Sequence, residues 1–322
     1  MRLLVTGGAG FIGSNFVRRT LSNPTSSASK IIVLDKLTYA GTFENLEELK
    51  DNLKFQFIHG DINNETLVEN LIAKVDVVVH FAAESHVDRS ISEAAPFIET
   101  NVSGTANLLE VLRKFPKVKF LHVSTDEVYG SIEKGSWSED FPLAPNSPYA
   151  ASKASSDLLA LAYQRTYGLD ILISRCCNNY GPNQFPEKLI PLFITNLIRN
   201  KKVPVYGDGK NVREWIHVDD HCDALNLIIN KGESGQIYNI GSSFELSNLE
   251  ITQLILEIFQ KGEESIEYVS DRPGHDFRYS LDYSKAKTKL GYLPRIEFND
   301  GLRKTVEWYL KNEDWWTSKI QK

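Results

Sequence analysis

The amino-acid sequence predicts an α/β protein built on a doubly wound parallel sheet, with a smaller lobe interleaved towards its C-terminal end. Three observations carry that expectation. Short apolar runs alternate with helix-length stretches through the first half of the chain, the pattern of strands joined by helical crossovers. A glycine-rich turn separates the first run from the first helix-like stretch. Acidic and hydroxyl side chains then fall where successive runs end, the edge at which open α/β sheets collect ligands.

Taken in order, residues 3–6 read as a buried strand and 11–21 as the helix entered from the glycine turn. Residues 31–34 form a second strand ending at Asp35, and 55–59 a third followed by Asp61. Residues 75–81 form a fourth, followed by Ala82 and Ala83. Helical spacing runs through 97–115. Residues 119–123 form a fifth strand leading into Ser124-Thr125-Asp126-Glu127. The alanine-rich stretch 149–167 is helical, and 171–174 is a sixth strand. Right-handed crossovers then place helices on both faces. Beyond this point Gly- and Pro-bearing loops interrupt the pattern, and 237–240 reads as a strand returning to the main sheet. The expected division is 1–175 plus about 214–240 for a cofactor domain, and 176–213 plus 241–322 for a substrate domain.

Composition narrows the class. The 322 residues are 42% hydrophobic and 24% charged, ordinary for a soluble globular protein. A net charge of −6 speaks against a nucleic-acid partner, which calls for a basic excess. No apolar stretch nears the roughly 18–20 residues of a membrane span, and the glycine turn comes too early for a secretory leader. Cys176, Cys177 and Cys222 are odd in number and without framework spacing, which suits a reducing cytoplasm. His217 and His221 have a metal-ligand spacing but no third ligand motif. A strand-to-helix junction capped by Asp219 or Asp220 accounts for them, so no metal is expected.

Thr6-Gly7-Gly8-Ala9-Gly10-Phe11-Ile12-Gly13 has the glycines that allow a tight turn and close approach to a pyrophosphate. The helix starting there offers free N–H groups and a positive dipole end. Asp35 follows 22 residues after Gly13, where a carboxylate accepts from both ribose hydroxyls and repels a 2′-phosphate. NAD is therefore the expected cofactor, although Lys36 beside Asp35 could tolerate a phosphate. Asp61 is placed either to meet the adenine or to cap the next helix.

Tyr149 and Lys153 stand four apart on a helix, hence on one face. A phenol is a poor base at neutral pH, but a nearby ammonium and a positive nicotinamide favour its phenolate. It can then take a hydroxyl proton as hydride leaves the carbon. Ser124-Thr125 ends a neighbouring strand.

Together these features resemble the extended short-chain dehydrogenase/reductase superfamily over essentially the whole chain. The resemblance implies a Rossmann-like sheet, retained NAD, a sugar-nucleotide substrate, and Thr125, Tyr149 and Lys153 as the dehydrogenation triad. The segment Ser124-Thr125-Asp126-Glu127-Val128-Tyr129-Gly130 is similar to that of the dTDP-glucose 4,6-dehydratases, in which this Asp is the acid and this Glu the base. Eliminating water across C5 and C6 needs both groups, and adjacent carboxyls divide the work if their environments separate their pKa values. Related epimerases usually lack the pair. The implied substrate is a dTDP-glucose-like sugar nucleotide, and the implied activity is formation of its 4-keto-6-deoxy derivative in deoxysugar biosynthesis. Another sugar nucleotide, an epimerase, or a non-catalytic NAD-binding regulator are the alternatives.

The resemblance also implies contacts. The cofactor would meet Gly7, Gly10, Phe11, Ile12, Gly13, Asp35, Lys36, Thr38, Asp61, Ile62, Phe81, Ala82, Ala83, Ser85, Thr100, Tyr149, Lys153 and Asn179. The substrate would meet Ser85, Thr125, Asn178, Glu187, Lys188, Leu189, Pro204, Tyr206, Arg213, Asn248, Arg272 and His275, with the two arginines as forks for a diphosphate. Asn183 departs from the larger or aromatic residue expected at its position. A homodimer is implied through the helices at 97–115 and 149–167, whose apolar content also suits core packing. Trp315-Trp316 reads as a packed end or an interface.

Overall fold

Seven apolar runs pair into one parallel sheet in the computed structural model, which describes residues 1–320. They are β1 (Arg2–Thr6), β2 (Lys30–Asp35), β3 (Phe55–His59), β4 (Val77–His80), β5 (Lys119–Thr125), β6 (Ile171–Cys176) and β7 (Ile237–Ile240). Their order across the sheet is β7-β6-β5-β4-β1-β2-β3. Every residue of β4 and β6 is buried, as expected when helices cover both faces of a parallel sheet. The period of two divides these strands between two cores. Leu3, Val5, Val33 and Val79 pack on one face with Phe16 and Val17 of the Phe11–Ser22 helix. Leu4, Ile32 and Val78 pack on the other with Val68, Leu108 and Leu109. Each such buried side chain contributes about 1.5–3 kcal/mol of transfer free energy.

Strand ends differ from the sequence reading in a way that matters. The fourth strand is shorter than 75–81, while the fifth and sixth are longer than 119–123 and 171–174. Pairing of β5 with β6 continues to Thr125↔Cys176, so Ser124 and Thr125 are held by the sheet rather than by a loop. Strand Ile237–Ile240 joins the sheet beside β6, as read. The helical stretch 97–115 is broken into Ala95–Phe97, a wide turn at Ile98–Gly104 and Thr105–Leu112. Widened turns of this kind favour functional sites. Here Asn101 is buried within the turn and donates to Glu84 O at 3.0 Å and to Ser152 Oγ at 2.8 Å.

A three-stranded sheet of Asn178–Tyr180, Val212–His217 and Glu245–Ser247 and a two-stranded sheet of Val203–Tyr206 with Ile266–Val269 lie beyond the main one. A separate core of Ile194, Leu197, Ile255, Val306 and Tyr309 supports them. The two tryptophans form a packed end. Trp316 is buried and donates to Tyr309 O at 2.9 Å. Trp315 reaches back to Asn45 Oδ1 at 2.9 Å, and Lys319 pairs with Glu44 at 2.6 Å. No helix among the described residues is long and apolar enough to cross a membrane.

Candidate active site

The first βα turn is built so that backbone touches backbone. Gly7 has φ +69°, and a Cβ there would lie 2.5 Å from Ala82 N. A Cβ on Gly13 would lie 2.4 Å from Gly7 O. Gly10 begins the Phe11–Ser22 helix without a side-chain cap, which leaves its first N–H groups to an anion. Asp35 ends β2 with both oxygens engaged, one by Ala9 N at 2.9 Å and the other by Leu37 N at 2.8 Å. Burial pushes its carboxyl up, and those two N–H groups oppose the shift. Lys36 is paired with Asp61 at 2.7 Å. The capping alternative for Asp61 fails, because Asn64 caps the Glu65–Ile72 helix by accepting from Leu67 N at 3.0 Å.

A cavity of about 310 Å³ runs from this turn along the carboxyl ends of the strands. All the residues expected at the cofactor line it, from Gly7 to Asn179, and so do Thr125, Asp126, Glu127, Tyr149 and Lys153. A second cavity of about 190 Å³ is lined by Leu189, Pro204, Tyr206, Arg213, Asn248, Arg272 and His275. The two share Glu127, Asn178, Asn179, Gln184, Glu187 and Lys188. Ser85 and Thr125 border only the first. The structure thus gathers every expected site residue around two adjoining cavities that share part of their lining. Among the described residues, Asp126 Oδ2, Asn178 Oδ1 and Arg272 Nε are buried without a hydrogen-bond partner, as expected of groups that face a ligand.

At the centre, β5 delivers Thr125 as the cap of a short turn, Asp126–Tyr129, and its hydroxyl donates to Asp126 Oδ1 at 3.1 Å. Burial, then the charges of Glu127 and Glu214, raise the Asp126 carboxyl well above its usual range. Glu127 is also raised by burial, but Arg272, Lys188 and Arg213 pull it back. The two neighbours therefore differ as an acid and a base must.

Ser147 caps the Pro148–Tyr167 helix, which presents Tyr149 and Lys153. Lys153 Nζ donates to Val123 O at 2.8 Å. Burial lowers its ammonium to about 8 against the pull of Asp157 and Cys176. The Tyr149 phenol is raised well above its usual value, by burial and then by Glu127, Cys176 and Asp126. Both causes oppose the phenolate, and a positive group brought in beside the ring would favour it.

Three details correct or extend the sequence reading. His217, rather than Asp219 or Asp220, caps the Val218–Lys231 helix by accepting from Asp219 N at 3.2 Å. Asp220 instead accepts from Arg295 N and Ile296 N, and His221 meets Asn179 Oδ1 at 3.0 Å. Asn183 stands at φ +66°, a conformation asparagine tolerates, and accepts from Arg18 at 2.7 Å while donating to Asn45. Tyr39, Gln184 and Phe185 also line the cavity. Nothing local in the sequence marks them, since they reach the space from loops that only the fold brings together.

A dinucleotide-shaped cradle continuous with a buried tyrosine–lysine helix on one parallel sheet defines the extended short-chain dehydrogenase/reductase class. A family model described as GDP-mannose 4,6 dehydratase matches residues 4–305. A dTDP-glucose 4,6-dehydratase of Streptomyces niveus is 55% identical over 98% of this chain and 95% of its own. The dTDP-glucose 4,6-dehydratase DesIV of Streptomyces venezuelae, solved with NAD bound, superposes with a TM-score of 0.97 at 55% identity, covering 99% of this chain and 100% of that one. The corresponding enzyme of Bacillus anthracis, also solved with NAD, gives 0.92 at 48% identity, covering 99% of each chain. The chain belongs to the dTDP-glucose 4,6-dehydratases of the extended short-chain dehydrogenase/reductase superfamily.

Proposed function

We propose that this chain removes water from dTDP-glucose to give dTDP-4-keto-6-deoxyglucose. The single observation behind this reading is the Asp126–Glu127 pair, which lines the first cavity with Tyr149 and has its two carboxyls held differently, Asp126 buried and Glu127 half-buried. Oxidation at one carbon needs no such pair. Elimination needs both members.

The glycine turn, Asp35 and the loops carrying Thr38, Asp61 and Ser85 fit a bound NAD, because the close backbone packing at Gly7 and Gly13 leaves the uncapped helix start at Gly10 facing the cavity, open to a pyrophosphate. When bound, NAD supplies the acceptor of hydride from C4 and its later donor to C6. Tyr149 takes the O4 proton, with Lys153 countering the phenolate charge. The C4 ketone acidifies C5, and Glu127 removes that proton. Asp126, kept protonated by burial, gives its proton to the departing C6 hydroxyl. Glu127 then returns its proton to C5, and once Tyr149 releases its proton to solvent and Asp126 takes one up, the enzyme ends as it began, a carbon–oxygen lyase. Arg213 and Arg272 are the groups proposed to hold the diphosphate, within a substrate lobe formed by the later part of the chain.

The test incubates purified protein with dTDP-glucose, without added cofactor, and follows the alkali-induced absorbance of a 4-keto-6-deoxy sugar. A signal is expected, and Glu127→Gln should reduce its rate by about 10²–10⁴-fold. No product with or without added NAD would overturn the reading, and full product from Glu127→Gln would overturn the base assignment.

We further infer a cytoplasmic homodimer. Cys176, Cys177 and Cys222 are buried free thiols, which suits a reducing compartment. Ile98 and Leu158 are about half exposed on the outer sides of the two helices expected to pair. Light scattering should return twice the mass of one chain, and the mass of a single chain would refute the dimer.

A further inference from the structure

The Asp126–Tyr129 turn and the Pro148–Tyr167 helix must meet one hexose, so their alignment is critical. A displacement of about 1 Å costs on the order of 10²-fold in rate. One buried side chain touches both. Arg175, on β6, is 2% exposed. Its Nε donates to Asp157 Oδ2 at 2.8 Å, and Asp157 lies one helical turn beyond Lys153, on the same face. Its Nη1 donates to the Tyr129 hydroxyl at 2.8 Å, and Tyr129 closes the turn that Asp126 opens.

The surroundings fix this fork. Strand register sets Arg175 opposite Ser124 on β5 and Asn239 on β7. The Tyr129 hydroxyl donates onward to Asn239 Oδ1 at 2.9 Å. His122 Nε2 lies 3.3 Å from Asp157 Oδ1. The Tyr129 ring stacks on Trp137 at 5.3 Å and 18°. A buried ion pair is a poor source of net stability, because two charges must leave water. The planar guanidinium offers what a hydrophobic replacement could not, two directed bonds at a fixed angle.

We infer that Arg175 is a positioning residue that holds the oxidation helix and the elimination turn in register. The inference rests on the dehydratase reading above. It assigns Tyr129 to the elimination side of the fork and Asp157 to the oxidation side, so that loosening either end slows one half of the reaction more than the other.

Chemical-quench single turnovers of the holoenzyme with dTDP-glucose test this. Tyr129→Phe keeps the ring on Trp137 and removes the hydroxyl. It should slow elimination about tenfold relative to oxidation, so that the 4-keto sugar still bearing its C6 hydroxyl accumulates. Asp157→Asn should slow oxidation about tenfold without such accumulation. Arg175→Lys, which keeps charge but loses the fork, should slow both. The Tyr129→Phe/Asp157→Asn double variant should be non-additive, since both act through one guanidinium. Equal slowing of the two steps in every variant, in proportion to lost melting temperature, would overturn the inference, and so would unchanged partition. Wild-type protein that makes no 4-keto-6-deoxy product would instead sink the dehydratase reading.

Discussion

Replacing Asp126 by asparagine is expected to lower kcat by about 10²–10⁴-fold and at the same time to raise the melting temperature. Both effects have one cause. Asp126 is fully buried, and burial with Glu127 and Glu214 holds its carboxyl far above the ordinary 3.8. In the unfolded chain the same group ionises near that ordinary value. Between the two, folding must take up a proton, so the group's contribution to stability falls as pH rises. Asparagine does not titrate and keeps a polar partner for the Thr125 hydroxyl. The gain should be near zero below about pH 3, where both states of the wild type are protonated, and should grow through pH 4 and 6 to a few degrees at pH 8. Melting curves of wild type and Asp126→Asn at pH 4, 6 and 8, beside kcat, check it. A variant no more stable than wild type at pH 8 would show that burial does not hold this proton.

Gly7→Ala is expected to abolish cofactor retention and to lower the melting temperature of the stripped protein by several degrees. The methyl group faces two obstacles together. At φ +69° it sits in the left-handed region, which costs an L-residue about 1–2 kcal/mol. It also lands 2.5 Å from Ala82 N and 2.6 Å from Ala82 Cα, backbone atoms of the loop after β4 that cannot move aside as a side chain would. Gly10→Ala is the control, since its Cβ would come no nearer than 3.4 Å to Gly7 O. It should leave the stripped protein's melting temperature within about one degree, whatever it does to binding. The ratio of absorbance at 260 to 280 nm in purified protein reports retained nucleotide. A Gly7→Ala protein that purifies with its nucleotide would refute the close approach.

These two sites were also the easiest to read from the chain. Glycine turn, strand-end acid, Ser124–Gly130 and the Tyr149/Lys153 spacing are local patterns, and local pattern is what a sequence displays directly. What stayed hidden depends on residues far apart in the chain. Thr125 becomes a strand residue because Cys176 pairs with it, 51 positions away. Arg175, Asp157, Tyr129 and Asn239 form one polar network from four segments, and none has a neighbour in sequence that announces it. Capping was misread at the Val218–Lys231 helix, where several candidates stand together and His217 is as chemically able as Asp219 or Asp220; Asn64 likewise takes the cap that was the alternative for Asp61. The helix pattern paired Tyr149 with Lys153 but displayed neither the burial of the phenol nor the negative charge around it.

The reach of Trp315 to Asn45 bears on how the chain is made. Asn45 also donates to Ala9 O at 2.9 Å, inside the glycine turn. The first ribosome-emergent half holds nearly every residue of the cofactor cradle, yet its sheet lacks an edge until Ile237–Ile240 arrives. The loop behind its glycine turn, held by Arg18 and Asn183, gains the Trp315 indole as its last clamp only when residue 315 has been synthesised. A nascent chain halted at residue 200 would therefore expose β6 as an open edge, a ready template for mispairing.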